Sequence, residues 1–366
     1  MSCAKTFYPL KVSIYYATCG MPLNLDPYRY CPFQCEYCFM KNRVIGKRVE
    51  DREPNINWVR YKFKKVFDDK DIIETNFLEM LLKNDIDIHC GTKSEAFQPP
   101  EKEKQFTKQL VDICNEYDRH IVFTTKADTY YDVDVNPEQH SFQFSVTNHY
   151  NDRYLEPNIP SFEKRVEFYK QLKDEGFKVG IRFEPTIPNV TDIDKIVSYF
   201  PDADHFHFAK LTLSNQLKWD DLIKYIGCTK NDFHMRGKKV VKDELFYTHI
   251  KPSIEKLDEN GYSWSSRFIH LGTDKCCCGD ELVRNPTTFN TLYLKNKYGK
   301  HWTLENALDE LGEYKQCDCK YLYTSNNWGE GLKTVEDFYI DRFPKHATKF
   351  NPDHQFQPYK TLMDFL

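Results

Sequence analysis

Residues 24–39 read Asn-Leu-Asp-Pro-Tyr-Arg-Tyr-Cys-Pro-Phe-Gln-Cys-Glu-Tyr-Cys-Phe, and this stretch decides the fold. Its cysteines, Cys31, Cys35 and Cys38, have the spacing C-x3-C-x2-C, with an aromatic residue on each side of the last one. Three thiolates on one short loop can hold three corners of a cubic iron–sulfur cluster. Since no fourth cysteine is close in sequence, one iron would keep an open position at which a reacting molecule can bind.

A structural zinc site is the alternative interpretation of these cysteines. Zinc sites usually pair two C-x2-C or C-x4-C arms and need four ligands. The next cysteine, Cys90, lies far downstream in a strand-like run. A disulfide framework would require secretion, of which the sequence gives no sign. The spacing therefore favours the iron–sulfur cluster.

The composition limits the class of protein. The chain has 366 residues, a net charge of −4 and 13 cysteines. Its N-terminus lacks an apolar run of signal length, and no stretch approaches the roughly 18 apolar residues that a membrane span needs. We therefore expect a cytoplasmic protein with reduced cysteines and no membrane partner. The acidic balance gives no global case for nucleic-acid binding, although residues 41–52 and 235–242 are locally basic.

Strands and helices alternate over the first 213 residues. Strands are predicted at residues 11–17, 86–90, 121–125, 142–147, 177–184 and 205–213, and helices at residues 70–83, 101–117, 161–175 and 192–200. This alternation predicts an α/β fold with a parallel sheet, and six such strands suit a partial (β/α)6 TIM-like barrel. In such folds chemistry gathers at the carboxyl ends of the strands.

The pattern changes after residue 213. A helix that contains Pro252 is predicted at residues 243–260, a strand at residues 262–269 and a short helix at residues 304–311. The sequence therefore predicts two parts. Residues 1–213 form the barrel core, and residues 214–366 form an appended, cysteine-rich α+β region.

Several segments of the predicted core resemble the spore photoproduct lyase-like branch of the radical S-adenosylmethionine (SAM) enzymes. Residues 24–39 resemble the entry loop of that branch, with Asp-Pro-Tyr-Arg where the branch typically has Asn-Pro-Tyr-Arg. Residues 91–101 resemble its Thr-Asp-x-Tyr-Gln-Pro-x-Glu segment. Residues 124–126, 144–147, 155–165 and 185–192 continue the resemblance in chain order. The C-terminal third is not covered.

The resemblance implies the cofactors. Cys31, Cys35 and Cys38 would hold a [4Fe-4S] cluster, and SAM would bind at the open iron. An electron donor such as flavodoxin or ferredoxin would reduce the cluster. The enzyme would then cleave SAM and remove a substrate hydrogen with the 5′-deoxyadenosyl radical.

The resemblance also implies residues around SAM. Ser94 and Glu95 would meet the amino group of its methionine part, and Lys126 would pair with the carboxylate. Ser145 would hydrogen-bond the ribose or the carboxylate. The alternatives are a helix N-terminal cap for the first two, a surface lysine, and a buried serine bonded to backbone.

Aromatic and charged residues complete the implied site. Tyr37 and Phe39 flank Cys38 and would border the adenine, with aromatic core packing as the alternative. Arg182 and Glu184 alternate on one predicted strand, so both would point into the barrel. Their alternative is a buried ion pair.

Cys90 is a candidate catalytic residue. The lyase of this branch uses a cysteine as hydrogen donor, and Cys90 lies near the place of that donor without aligning with it. A free cysteine in a strand is usually a small buried hydrophobic residue. Both interpretations stay open, because the reactivity of a thiol depends on its exposure.

Five further cysteines crowd the C-terminal third: Cys276, Cys277, Cys278, Cys317 and Cys319. Consecutive cysteines cannot all point the same way, so two of the first three could join the last pair to make four ligands. That number suits a second iron–sulfur cluster or a zinc ion. Unligated thiols are the third interpretation.

Three functions are consistent with these observations. The first is a radical SAM enzyme that acts on a nucleobase or on nucleic acid, DNA or RNA. The second is a radical SAM enzyme that oxidises or rearranges a small molecule or peptide with the help of a C-terminal cluster. The third is a non-catalytic nucleic-acid-binding protein with a structural metal.

Overall fold

The computed structural model describes residues 6–13, 21–40, 52–70, 77–213, 219–234, 239–266, 278–279 and 281–284. The predicted helix at residues 304–311 lies outside them, and so do Cys276, Cys277, Cys317 and Cys319. No helix in the described part is long and apolar enough to cross a membrane.

The strands and helices are as follows. The strands are β1 (Thr6–Phe7), β2 (Leu10–Val12), β3 (Leu23–Leu25), β4 (Glu53–Pro54), β5 (Ile88–Cys90), β6 (Ile121–Thr125), β7 (His140–Ser145), β8 (Lys178–Thr186), β9 (His205–Lys210), β10 (Thr212–Leu213), β11 (Phe233–His234), β12 (Lys239–Val241) and β13 (Trp264–Ser266). The α-helices are α1 (Ile56–Phe67), α2 (Phe77–Lys83), α3 (Glu101–Lys104), α4 (Phe106–Glu116), α5 (Phe162–Asp174), α6 (Ile193–Tyr199), α7 (Trp219–Tyr225) and α8 (Asp243–Glu259).

One eight-stranded sheet organises the fold. Its order is β2-β3-β5-β6-β7-β8-β9-β13, and every neighbouring pair except β2–β3 is parallel. Chain order and spatial order agree from β3 to β13. Because crossovers between parallel strands are right-handed, this single direction of winding places the crossover helices on one face. The other face must curl inward, as in a barrel, whereas a doubly wound sheet reverses its order.

The expected α/β fold, a partial TIM-like barrel, is therefore confirmed. The two edge strands of the described sheet, β2 and β13, do not pair with each other, so the barrel stays open. Strand β13 lies beyond residue 213, so the sheet takes its last strand from the region that the sequence assigns to the C-terminal part. The division of the chain at residue 213 remains a prediction.

The two faces of the sheet differ in chemistry. On the outer face, the ring of Phe142 packs 5.2 Å from that of Phe177, and the ring of Phe144 packs 5.6 Å from that of Phe168 in α5. Each buried aromatic ring of this kind contributes about 1.5–3 kcal/mol. Side chains alternate along a strand, so Gln143 between them points to the inner face. The inner face of the sheet therefore carries polar side chains that the outer face lacks at these positions.

The first strand was predicted in the wrong place. Residues 11–17 were expected to lead into the cysteine loop, but Leu10–Val12 is an antiparallel edge strand and β3 leads into the loop. The composition of residues 11–17 indicates a strand without giving its direction. Residues 14–17 are outside the described part.

The predicted helix at residues 101–117 is two helices. Gln105 has a φ of +50° and separates α3 from α4. The carboxylate of Glu101 accepts hydrogen bonds from the backbone N–H groups of Thr107 and Lys108, at 2.9 and 2.8 Å. It thereby satisfies N–H groups that the first turn of α4 leaves without a helical partner. Helix α1, which the sequence analysis missed, begins with a similar cap, from the side chain of Asn55 to the N–H of Trp58.

Side chains also cap helices α5 and α6. The carboxylate of Asp192 caps α6 by accepting a hydrogen bond from the N–H of Lys195 at 3.0 Å. The hydroxyl of the preceding Thr191 donates to the carbonyl oxygen of Thr147 at 2.8 Å. The hydroxyl of Ser161 caps α5 by accepting from the N–H of Lys164.

Candidate active site

The cysteine loop begins at the carboxyl end of β3. Asp26 anchors it: its carboxylate accepts hydrogen bonds from the hydroxyl of Thr92 at 3.0 Å and from the backbone N–H of Lys93 at 2.8 Å. The N–H of Asp26 donates to the carbonyl oxygen of Pro9. Because β3 and β5 are parallel neighbours, these bonds join two loops that leave the same edge of the sheet. The side chain of Asp26 therefore has a structural use here, because it ties the loop after β3 to the loop after β5.

The three cysteines lie together on this loop. Cys35 is buried, and Cys31 and Cys38 are half-buried. The pKa of Cys35 is influenced by the charges of Cys38 and Cys31, and that of Cys31 by the charge of Cys38, so the three thiols are neighbours. The backbone N–H groups of Phe33 and Glu95 point at the sulfur of Cys31. Such N–H groups stabilise a thiolate, the form that binds iron.

The donor set fits an iron–sulfur cluster. Within the described residues, no three His, Cys, Asp or Glu side chains converge as ligands of a single metal ion would. A cubic cluster does not need that convergence, because each thiolate binds a different iron. Burial raises the pKa of Cys31 to about 12 in the protein alone, and a bound metal removes that proton.

Glu95 ties the loop after β5 to the end of β6. One of its carboxylate oxygens accepts from the hydroxyl of Thr125 at 2.7 Å, and the other accepts from the N–H of Lys126 at 2.8 Å. Burial raises the pKa of Glu95, although these hydrogen bonds oppose the shift. The carboxylate is thus held in place at the strand ends. Its predicted contact with the amino group of SAM stays a prediction.

Ser94, unlike Glu95, has a side chain whose hydrogen-bonding capacity is not used. Its side chain is buried, and its hydroxyl has no hydrogen-bond partner among the described residues. Two further buried polar atoms beyond the strand ends also have no hydrogen-bond partner among the described residues. They are the side-chain oxygen of Gln98 and the side-chain nitrogen of Asn148. Buried polar groups in proteins are nearly always satisfied, so groups left over at one edge of a sheet fit a polar ligand there.

Lys126 is held by an ion pair that the sequence analysis missed. Its ammonium donates to Glu156 at 2.9 Å and to the carbonyl oxygen of Ser145 at 3.1 Å, and it lies 5.6 Å from the ring centre of Tyr37. The hydroxyl of Tyr37 also donates to Glu156 and lies 3.0 Å from the hydroxyl of Thr147. Glu156 thus connects the cysteine loop to β6 and β7.

The pKa of Glu156 shows which influence dominates. Burial alone would raise it, but the charges of Lys126 and Arg165 and the hydrogen bond from Tyr37 outweigh burial and lower it. Glu156 is therefore an anion at neutral pH. Residues 155–157 belong to the resembling segments, which was the only sequence signal for this residue.

Ser145 and Arg182 lie one strand further along. The hydroxyl of Ser145 donates to the carbonyl oxygen of Glu184 at 3.0 Å, which matches the backbone-bonded alternative for this serine. The guanidinium of Arg182 binds the carboxylate of Glu184 and donates to the side-chain oxygen of Gln143 at 2.9 Å. Arg182 and Glu184 thus both belong to the inner face, where their partners also lie.

A chain of hydrogen bonds crosses this inner face. The ring of His89 bonds to the hydroxyl of Thr124 at 2.7 Å, and that hydroxyl donates to Gln143 at 3.2 Å. The amide of Gln143 donates to the carbonyl oxygen of Cys278 at 2.5 Å. The thiol of Cys278, 2% exposed, lies 3.9 Å from Arg182. A short part of the C-terminal region therefore lies inside the barrel.

Cys90 is not on that inner face. Its side chain and that of His89 alternate along β5 and therefore point to opposite faces of the sheet. Cys90 is buried in the main apolar core, and Cys114 of α4 is among the groups that influence its pKa. This environment is that of a small buried hydrophobic residue, and the role of Cys90 as a hydrogen donor stays a prediction. Phe39, next to Cys38, is 38% exposed, and its predicted place beside the adenine stays a prediction.

The C-terminal metal prediction stays untested. Of its five cysteines only Cys278 is described, and the other four lie outside the described residues. The proximity of Cys278 to Arg182 nevertheless places Cys278 itself against the barrel interior.

Comparisons with known proteins give the following. No family model matches the chain. An uncharacterized protein of Methanocaldococcus jannaschii is 23% identical over 208 residues, which are 54% of this chain and 74% of that protein.

Among solved structures, a spore photoproduct lyase mutant with bound AdoMet and dinucleoside spore photoproduct has a TM-score of 0.48 at 12% identity, covering 71% of this chain and 81% of that one. Streptococcus suis SuiB bound to S-adenosylmethionine has a TM-score of 0.42 at 14% identity, covering 70% of this chain and 53% of that one. Spore photoproduct lyase and SuiB are thus among the solved structures to which this chain is similar.

Proposed function

We propose that this chain is a radical SAM enzyme. The observation that carries the proposal is the position of the three-cysteine loop. It leaves the carboxyl end of a barrel strand and is connected, through Tyr37 and Glu156, to the ends of β6 and β7. In barrel folds this edge is where cofactors and substrates meet.

The residues that would hold the cofactors follow from the site. Cys31, Cys35 and Cys38 would bind a [4Fe-4S] cluster, and Ser94 would satisfy its buried hydroxyl on the methionine end of SAM. When bound and reduced, the pair of cofactors supplies a 5′-deoxyadenosyl radical that removes a substrate hydrogen. Lys126 would offer its ammonium to the carboxylate of SAM while it remains paired with Glu156.

The remaining residues of the barrel would position the substrate and cover the site. The inner face carries His89, Thr124, Gln143 and Arg182 as fixed hydrogen-bonding groups beneath the cofactor edge. Such pre-oriented groups lower the entropic cost of reaching a reactive geometry. Among the described residues, aromatic packing covers the outer face of the sheet.

We assign the substrate to nucleobases or nucleic acid, on the motifs that resemble the lyase branch. A low-potential electron donor such as flavodoxin or ferredoxin would be the protein partner. The second candidate is oxidation of a small molecule or peptide, which the burial of Cys278 next to Arg182 favours if a C-terminal cluster forms there.

The test is anaerobic reconstitution followed by measurement of 5′-deoxyadenosine. We expect Cys35→Ala to lose the cluster's low-temperature spin signal and all 5′-deoxyadenosine formation. Cys114→Ala is the matched control, because Cys114 is equally buried but lies in helix α4. Retained SAM cleavage in Cys35→Ala, or equal loss in both variants, would contradict the proposal.

A further inference from the structure

A cavity of about 330 Å³ lies among the loops that follow four neighbouring strands. Phe33 reaches it from the cysteine loop after β3, and Phe97 reaches it from the loop after β5. Asp128 lines it from the loop after β6, and Lys164 lines it from the first turn of α5, which follows β7. Because β3, β5, β6 and β7 are consecutive in the sheet, these loops meet at its carboxyl edge. We call this space the outer cavity.

The outer cavity is separate from the candidate active site. The ring centre of Phe97 lies 5.0 Å from that of Phe123 and 6.0 Å from that of Phe142, which belongs to the outer face of the sheet. The described residues that line the cavity include none of those assigned above to SAM or to the cluster. The cavity therefore lies on the outer side of the strand ends and touches the cysteine loop through Phe33.

The cavity has an apolar floor and a small volume. Phe33, Phe97 and Ile159 all line it, and all three side chains are buried. Sites for small molecules combine such apolar walls with a few polar groups, and their volumes run from about 300 to 1,000 Å³. The outer cavity is at the lower end of this range. Its size therefore suits a compact molecule rather than a nucleotide or a polymer.

Charged groups of both signs stand around this floor. Asp128 is half-buried and Lys164 is exposed, and neither makes a hydrogen bond or an ion pair with another described residue. The guanidinium of Arg153 also lines the cavity and donates to the carbonyl oxygen of Ile159 at 2.7 Å. A carbonyl oxygen orients this guanidinium without neutralising its charge. The cavity thus offers one carboxylate and two cations to a ligand.

The loop that carries Asp128 has a fixed shape. Tyr131, which also lines the cavity, has a φ of +52°, an uncommon value for a large side chain. Its backbone N–H donates to the hydroxyl of Thr129 at 3.0 Å, which holds the turn in this conformation. A loop that is already ordered loses little conformational entropy when a ligand binds.

We propose that the outer cavity binds an α-amino acid with an apolar side chain. Its ammonium pairs with Asp128, its carboxylate pairs with Lys164 and Arg153, and its side chain packs on the two buried phenylalanine rings. A simple anion would be repelled by Asp128, and a simple cation would be repelled by the two basic groups. A zwitterion satisfies both signs, and charge-assisted hydrogen bonds of this kind are the strong ones.

The experiment is calorimetric titration of the full chain with L-phenylalanine. Two analogues keep the ring and lack one charge each: N-acetyl-L-phenylalanine has no ammonium, and L-phenylalaninamide has no carboxylate. We expect each analogue to bind about tenfold more weakly than phenylalanine, because one charged hydrogen bond is lost. Glycine should bind more weakly as well, because it has no side chain to cover the apolar floor.

Two variants locate the bound molecule. Asp128→Asn should weaken phenylalanine binding about tenfold without weakening the binding of the N-acetyl analogue. Lys164→Gln should weaken phenylalanine binding without weakening the binding of the amide. Asp132→Asn and Lys170→Gln are the matched controls, because they remove exposed charges from the same loop and the same helix outside the cavity lining.

No phenylalanine binding at millimolar concentration would overturn the proposal, and so would equal affinities for the two analogues and phenylalanine. Equal losses in the control variants would also overturn it. Phenylalanine binding that is lost in Ser94→Ala but kept in Asp128→Asn would place the amino acid in the candidate active site and reject the outer cavity. The titration needs neither reductant nor cluster, so its failure leaves the proposed radical chemistry untouched.

Discussion

Lys126 donates a 2.9 Å hydrogen bond to Glu156, whose side chain is 1% exposed. Removing one member of a buried ion pair leaves the other charge without compensation. Glu156 also accepts a hydrogen bond from the hydroxyl of Tyr37, which directly precedes Cys38 in the cysteine loop. The pair therefore fixes the loop that would hold the cluster to the strands that would hold SAM.

Replacing Glu156 tests this connection. We expect Glu156→Gln to lower the free energy of unfolding by about 3–5 kcal/mol, because the ammonium of Lys126 loses its counter-charge. Urea unfolding measures the change. Glu163→Gln is the control, since Glu163 lies exposed in the first turn of α5. Equal unfolding midpoints for the two variants would refute the structural role of the pair.

Two serines should respond in opposite ways to replacement by alanine. Ser94→Ala removes a hydroxyl without a partner among the described residues, so stability should hold while SAM affinity falls by about 1 kcal/mol. Ser145→Ala removes a hydrogen bond to the carbonyl oxygen of Glu184, so it should cost about 1 kcal/mol of stability. Calorimetric titration with SAM and urea unfolding separate the two effects. Unchanged SAM affinity in Ser94→Ala contradicts its assignment.

His140 should make the protein sensitive to acid. Burial, and then the nearby charge of His120, lowers the pKa of His140 to about 4. Between pH 6.5 and 4 the unfolded chain takes up a proton that the folded protein does not, so stability is complete above pH 6.5 and falls as the pH approaches 4. The loss is about 3 kcal/mol by pH 4.

The variant His140→Asn keeps a side-chain acceptor for the N–H of Asn136, which His140 now binds at 2.9 Å. It should therefore lose the pH dependence between pH 4 and 6.5, whatever its stability at neutral pH. Urea unfolding at several pH values gives the slope. A wild-type slope that persists in His140→Asn would show that another group is responsible.

Gly279 and Gly261 offer a matched pair. Both have positive φ, +87° and +71°. A Cβ on Gly279 would lie 2.5 Å from the ring of His205, whereas one on Gly261 would meet nothing within 4 Å. Alanine at either position carries the backbone cost of about 1–2 kcal/mol. Only Gly279→Ala should lose clearly more stability, and equal losses would mean that residues 278–279 do not pack inside the barrel.

The sequence predicted the parts of this protein that depend on local pattern. The central strands from β6 to β9 are short apolar runs between helices, and they lie where the periodicity places them. The cysteine spacing predicts iron–sulfur chemistry for its loop, and that stays a prediction. The direction of β2 was not predictable, because an edge strand has the same composition whether it runs parallel or antiparallel.

Contacts between residues far apart in sequence were the second feature that the sequence pattern could not predict. Glu156 is separated from Tyr37 by 119 residues, and nothing in either segment shows that they meet. The sequence left both interpretations of Cys90 open, and only the alternation along β5 shows that its thiol lies in the apolar core. The hydrogen bond from Gln143 to Cys278, 135 residues apart, could not be expected from pattern alone.

That last bond has a consequence for the shape of the chamber. Cys278, Leu282 and Val283 are buried, and the side chain of Leu282 fills the space that Gly180 of β8 leaves by having no Cβ. The depth of the chamber is thus set by a segment that contributes no strand to the barrel. Shortening Leu282 would deepen the chamber without altering the cysteine loop, so the size of an accepted molecule and the chemistry applied to it can change independently.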